Sequence, residues 1–380
     1  MAMESGALYD VLFSFALGHL AILDSSYKVP AIEARSTAIR HLASSVHNPS
    51  NRMSWYESTA AACLAFLASE VGVGDCRGWY AHLKGTQQVI LSATTSNPSS
   101  SEVLRGAEAF KQSSEGQWIL RNFAYHDITG SVILRRKPLL DPVYLDGITD
   151  VVDSYLGVAT GLLRYVGEVV YLDESTAIDE QLSDDEIRRR VTLMHDASLR
   201  IEQQLEDWKC PLETSEELTA LAFAYRSMGL IVLYRFMRSR LRNERVIAAL
   251  SRHGIAYAPN QETNQDLPCN QPGALNVVQA KIRQHLCNIL HHLDNLPADS
   301  PPESAILFPL FLAGGEATEQ CHIDNVRRRM HMTLRKRQFP NIATALGVLE
   351  DLWSLRRDHP DAAADWPQIL DASSVDLLLT

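Results

Sequence analysis

Four side chains in this 380-residue sequence have the type and setting to move a proton. His82 lies three residues after Trp79 and next to Leu83, a spacing that sets the imidazole beside two large apolar side chains on one helical face. Such a histidine can serve as a general base or grip a ligand, and its plainer role is a core residue hydrogen-bonded inside. Tyr125, His126 and Asp127 are consecutive, so on a helix they point about 100° apart, and one of them is expected to face solvent. A Tyr or Asp turned into a cavity would orient a polar ligand or relay a proton. Capping, pairing with Arg121 or a core hydrogen bond is the commoner fate of these groups. Glu316 follows Gly314-Gly315 at the end of an apolar run, where it would line a pocket mouth or, as buried acids usually do, pair with an arginine. If the chain is an enzyme, His82, Tyr125, Asp127 and Glu316 are the candidate catalytic residues.

Familiar catalytic templates do not complete the picture. The sequence has no HExxH, no GxSxG and no Walker loop, and Gly72-Val73-Gly74 with Gly78 follows no strand, so it makes no dinucleotide site. Adjacent His291 and His292 point in different directions on a helix and form a poor metal pair. The six cysteines, Cys63, Cys76, Cys210, Cys269, Cys287 and Cys321, include no CxxC spacing. Neither a metal site nor a disulfide framework is expected, and the thiols read as small core residues in a reducing compartment. No cofactor is called for. A net charge of −11 argues against broad attraction to phosphate backbones or anionic lipid. The strongly basic run Arg327–Arg337 is expected to be a solvated or acid-paired helix face, ahead of a localisation signal or nucleic-acid contact. A second run, Arg235, Arg238, Arg240, Arg242 and Arg245, should answer the acidic residues.

The elements that must position these residues are helices. With 46% apolar and 21% charged residues the chain has the composition of a folding globular protein. Apolar positions recur at helical spacing, and alternating runs long enough for a sheet are nearly absent. Helices are expected near 6–24, 30–47, 54–71, 76–93, 101–136 with a break, 147–172, 183–207, 215–252 with a break, 273–294, 303–316, 320–333 and 341–357. The clearest runs from Ile148 through Leu156 and Leu163 to Val170, about six turns with one buried side. Capping boxes at Ser183–Glu186, Thr214–Glu217 and Ser300–Glu303 mark three starts, the last with Pro301 at the first helical position. Pro309 then falls inside a helix and should kink it. Linkers are read at Ser92–Ser101, Pro138–Asp146, Ala256–Pro272 and Asp294–Pro302. No repeat of fixed period occurs. The expected fold is all-α, a large bundle of stacked antiparallel helices around an apolar core or cavity, in one domain spanning 1–380. The apolar stretch Leu218–Met237 contains Arg226 and suits a buried helix better than a membrane span. The N-terminal apolar stretch lacks a basic flank and is interrupted by Asp10 and His19, so no secretory signal is expected. These features point to the nucleus or cytoplasm.

Several of these segments also match a known pattern. Gly78–Ile90 (GWYAHLKGTQQVI) resembles the "WxxHLxGAxxLI" helix of the fungal-specific transcription factor domain. Leu120–Ile128 (LRNFAYHDI) is similar to that family's helix with a Tyr/His-Asp-Ile pattern, and Leu156–Leu172 to its long central helix. Phe308–Ala317 (FPLFLAGGEA) resembles the "WPLFLAGxEA" block, and Asn341–Trp353 the closing helix. The motifs occur in family order across roughly residues 8 to 355. The resemblance implies an all-α regulatory domain that normally follows a six-cysteine zinc cluster and a dimerising linker, here in control of a metabolic or secondary-metabolite pathway. It also implies a ligand-binding set of Trp79, His82, Arg121, Tyr125, His126, Phe308, Phe311 and Trp353. Three departures stand out: no zinc cluster, a start at the domain's first helix, and Phe308 where the family usually has Trp. Direct DNA contact by this chain is therefore not expected. The partners to expect are a small apolar effector or metabolite, a second copy of the chain, or a protein of the transcription machinery. The alternative is a stand-alone enzyme or small-molecule-binding protein of fungal specialised metabolism that reuses the helical fold.

Overall fold

The computed structural model describes residues 5–47, 50, 52–74, 78–96, 103–153, 155–179, 181–211, 213–252, 271–297, 305–359, 364–373 and 377–379. Among them are fifteen helices and one short antiparallel hairpin, so the fold is all-α as the periodicity implies. In chain order these are α1 (Gly6–Leu23), α2 (Lys28–His47), α3 (Met53–Val73), α4 (Trp79–Ser92), the strands β1 (Thr94–Ser96) and β2 (Val103–Arg105), α5 (Ala107–Phe110) and α6 (Ser114–Leu134). There follow α7 (Thr160–Ser175), α8 (Asp184–Asp207), α9 (Glu216–Arg240), α10 (Glu244–Arg252), α11 (Gln271–Asp294), α12 (Leu307–Glu316), α13 (Gln320–Arg337), α14 (Pro340–Asp358) and α15 (Trp366–Ser373). The linker predicted at Ser92–Ser101 thus supplies a strand, with Thr94 opposite Arg105 and Ser96 opposite Val103.

The chain divides into two compact units. Unit one comprises Met1–Leu134, Leu139–Tyr155 and Arg328–Thr380; unit two comprises Arg135–Pro138 and Leu156–Arg327. In unit one, α3 packs against α1, α4, α6 and α14. In its helix α6 every residue from Phe123 to Ser131 is buried, and Ile119, Leu120, Phe123, Ala124 and Ile128 are essentially inaccessible. In unit two, α9 lies among α7, α8, α11 and α12. Nearly every residue of α9 from Ala220 to Met237 is buried, and Gly229 allows this packing, since a Cβ there would sit 3.3 Å from Leu205 Cδ2. By length and composition α1 and α9 are both apolar enough to cross a membrane; 83% of the apolar window of α9 is buried within its unit, against 17% for α1.

Start signals behave as the capping chemistry requires. Ser183 Oγ accepts from the Glu186 amide at 3.3 Å and Ser215 Oγ from the Leu218 amide at 3.3 Å, each satisfying a donor that the helix leaves unpaired. Ser215 caps α9, one residue later than the predicted Thr214. The third box, Ser300–Glu303 with Pro301, lies outside the described residues.

Two predicted elements are corrected. The helix expected over 147–172 begins only at Thr160. Gly147 and Gly157 take φ of +78° and +58°, a left-handed backbone that interrupts a helix. Leu218 Cδ2 approaches Gly157 so closely that a Cβ there would meet it at 2.6 Å. Ile148, Leu156 and Ala159 are still buried, so the apolar spacing reports burial rather than a continuous helix; Val151 and Val152 are exposed. Pro309 does not kink a helix either. It is the third residue of α12, in the first turn, where backbone N–H groups have no intrahelical acceptor. The cysteines are not uniformly core residues: Cys63 is buried, Cys210 half-buried, and Cys287 and Cys321 exposed.

Candidate functional site

Most of the candidate polar residues of unit one converge on α4 and α6. His82, half-buried on α4, stacks on the Phe66 ring at 5.1 Å and places Nε2 3.4 Å from Glu70 Oε1. Glu70 is buried and also accepts from Arg35. Its second carboxylate oxygen packs against Gly78, where any larger residue would collide with it. A carboxylate that orients an imidazole is an arrangement general bases use, and here the carboxylate is shared with an arginine.

On α6, Tyr125, His126 and Asp127 are all buried, at 1%, 3% and 0% exposure. The expectation that one would face solvent fails because α6 is buried at every position from Phe123 to Ser131, so residues about 100° apart there all meet protein. Each has a different surrounding. Asp127 accepts from the Leu139 amide at 2.7 Å and the Leu140 amide at 3.4 Å, pinning the turn that follows α6. Its charge adds to burial in holding the neighbouring Tyr144 phenol well above the usual phenol range. Tyr125 and His126 form an aromatic cluster with Tyr155, the rings 4.8 Å and 6.4 Å from it. Burial pushes the His126 imidazole down to about 3, and among the described residues its Nδ1 has no hydrogen-bond partner. Arg121 donates to Asp153 Oδ2 at 2.7 Å and to the Ile148 carbonyl at 3.1 Å, which ties α6 to the segment before α7.

The Tyr125 hydroxyl donates to the Leu379 carbonyl at 3.1 Å, across 254 residues. Leu377, Leu378 and Leu379 are completely buried, and Asn341 Nδ2 donates to the Leu378 carbonyl at 3.3 Å. Trp79 and Leu378 both press on Gly130, where a Cβ would lie 3.0 Å from Trp79 Cη2 and 3.3 Å from Leu378 Cδ1. Trp79 and Tyr125, two members of the predicted ligand-binding set, therefore border a slot occupied by an apolar segment of the chain itself.

The remaining candidates stand elsewhere. Trp353 is buried on α14, which packs on α3 and α15. Phe308, Phe311 and Glu316 belong to unit two. Both phenylalanines are fully buried on α12, against α9 and α11. Glu316, 4% exposed, receives Arg238 at 2.7 Å and 2.9 Å through two guanidinium nitrogens, and Arg235 as well. The bidentate fork and the second arginine make this a structural ion cluster. The same arginine run answers an acid as expected in Arg240 with Asp173, whereas Arg245 takes the Asp179 and Leu182 backbone carbonyls instead. A cleft of about 470 Å³ in unit one, lined among others by Ser5, His41, Arg52, Trp55, Glu57 and Glu115, includes none of the candidate residues.

Glu70, Asp153, Tyr155 and the Leu377–Leu379 segment are parts of the site that sequence reasoning misses. Only the leucine triplet carries a signal, an apolar run that no amphipathic helix accounts for. The family model for the fungal specific transcription factor domain matches residues 1–380. No curated protein and no solved structure matches the chain.

Proposed function

The chain belongs over its whole length to the fungal specific transcription factor domain family, and from that premise we propose that it is the effector- or partner-responsive part of a fungal transcription regulator of a metabolic or secondary-metabolite pathway. Family membership carries the regulatory role. The responsive part of the reading rests on one observation: the Leu377–Leu379 segment fills a buried apolar slot bordered by Trp79, Tyr125 and Gly130 and is tethered through two carbonyls. Such a segment has two discrete states, docked and released, and any small apolar effector that favours the released state shifts the balance by its differential affinity. DNA contact falls to a separate zinc-cluster element, in keeping with the net charge of −11, and the place of action is the nucleus or cytoplasm.

The test is a reporter assay with residues 1–380 fused to a heterologous DNA-binding domain. Leu378→Asp, which releases the segment, and Tyr125→Phe, which removes one tether, should each change reporter output severalfold at equal protein level. Unchanged output from both would sink the reading.

A second copy of the chain is the macromolecular partner the surface favours. The α1 side chains Tyr9, Leu12, Phe13, Leu20 and Leu23 are exposed at spacings of three, four and seven, and so are Val29, Ile32, Ile39 and Val46 of α2, the helix that packs against α1. Ile22 of α1 and Tyr27 are exposed as well, and so many exposed apolar side chains on one helix pair mark an interaction surface. The one acid of α1, Asp10, is paired with His41, so α1 offers a face dominated by apolar side chains.

The enzyme reading draws less support. Tyr125, Asp127 and Glu316 are each spent on internal partners, the usual condition of structural polar groups.

A further inference from the structure

Two exposed cysteines that lie 34 positions apart meet around one histidine in unit two. Glu319, Cys321 and His322 stand at the start of α13, and a carboxylate oxygen, the Sγ and a ring nitrogen of the three all lie within 4.8 Å of one another. Glu319 Oε2 is 4.0 Å from His322 Nδ1 and 3.9 Å from Cys321 Sγ. The opposite ring nitrogen, His322 Nε2, lies 3.6 Å from Cys287 Sγ on α11. The imidazole is thus held between a carboxylate and thiol on one side and a second thiol on the other.

We propose that Glu319, Cys321 and His322 form a binding site for a thiophilic divalent cation of the zinc class, with Cys287 as the residue that positions the histidine. The donor set is one sulfur, one nitrogen and one oxygen, which suits zinc and excludes magnesium or calcium, cations that require oxygen ligands throughout. Bond lengths of ~2.3 Å to sulfur and ~2.0–2.1 Å to nitrogen and oxygen place tetrahedral ligand atoms about 3.5 Å apart. The three groups, within 4.8 Å of one another, therefore need to close by up to about 1.3 Å. Glu319 is 62% exposed in its side chain and both cysteines are exposed, so closure moves free side-chain ends rather than packed core. The ion binds Nδ1 of His322, which leaves Nε2–H to donate to Cys287; a metal-bound imidazole ordinarily has such a partner on its other nitrogen. Three protein ligands leave one coordination position for water. The three ligands lie within four consecutive positions of the sequence; what spacing along the chain does not show is Cys287, which α11 brings to the histidine.

Cobalt(II) titration of the full 380-residue chain under a non-thiol reductant tests the proposal. The wild type should bind one equivalent and develop a thiolate-to-cobalt charge-transfer band in the near ultraviolet together with visible bands of tetrahedral cobalt. Zinc should bleach both. Cys321→Ser and His322→Ala should abolish the bands, while Cys287→Ser should keep them and weaken binding ~10-fold, as loss of an orienting partner does. The far-ultraviolet circular dichroism of each variant reports that the helices are intact. Absence of the bands in the wild type, or their survival in Cys321→Ser, overturns the site. Their loss in Cys287→Ser overturns the role given to that residue.

Discussion

His126 shows how much a single buried side chain decides. Inside unit one its imidazole is held neutral by burial, down to about 3, whereas in an unfolded chain it titrates near 6.5. The folded form therefore takes up its proton later than the unfolded form as pH falls. The associated stability is intact above pH ~6.5 and is lost through the window from there toward pH 3, at about 1.4 kcal/mol per pH unit. His285 in unit two, down to about 4 through burial and the charges of Arg226 and Lys281, acts in the same direction. Urea unfolding of wild type should thus lose about 2 kcal/mol more between pH 7 and pH 5 than His126→Gln does. An identical pH response in the variant would show that the buried imidazole is not the source. At this scale the sequence is legible in residue type but not in partner. That Glu316 would find an arginine follows from the cost of burying an acid; that it finds both Arg235 and Arg238 depends on α9 and α12 lying side by side. For Tyr125, His126 and Asp127, reading local angles alone misses that this stretch of α6 has no solvent side.

For elements, the difference between a helix interior and its first turn is measurable at Pro309. A proline inside a helix costs ~3 kcal/mol or more, because it removes a hydrogen bond and clashes with the preceding turn. As the third residue of α12, it has no intrahelical bond to lose. Pro309→Ala should shift the thermal midpoint by the equivalent of less than ~1 kcal/mol, and stabilisation of ~3 kcal/mol would mean that the helix continues through this residue. Helix existence and the cap at Ser183 are legible, and the cap of α9 to within one residue, because they rest on local donors and acceptors. The false extension of α7 back to 147 has an equally local origin: Ile148 and Leu156 carry helical spacing, yet Gly147 and Gly157 adopt positive φ, and burial satisfies the apolar pattern without a helix between them.

Across the whole molecule, two units are assembled from interleaved stretches of chain, with residues 328–380 returning to the unit that holds residues 1–134. That return puts Leu377–Leu379 beside Tyr125, while among the described residues Tyr9, Leu12 and Phe13 of α1 and Ile32 of α2 stay exposed. Light scattering after gel filtration should give a species of twice the chain mass. Leu12→Glu with Phe13→Glu should convert it to a monomer with unchanged helicity, and a monomeric wild type would remove the second-copy reading. By itself the sequence determined the all-α class, most helix positions and the family, since these depend on spacing, caps and ordered motifs within short windows. Only the tertiary structure decided that the candidate polar groups are clamps between distant segments, that an apolar slot is filled by Leu377–Leu379, and that Cys287 and Cys321 share one histidine. Contacts across 254 or 35 residues leave no local signal, because the chain must fold before their groups come within reach.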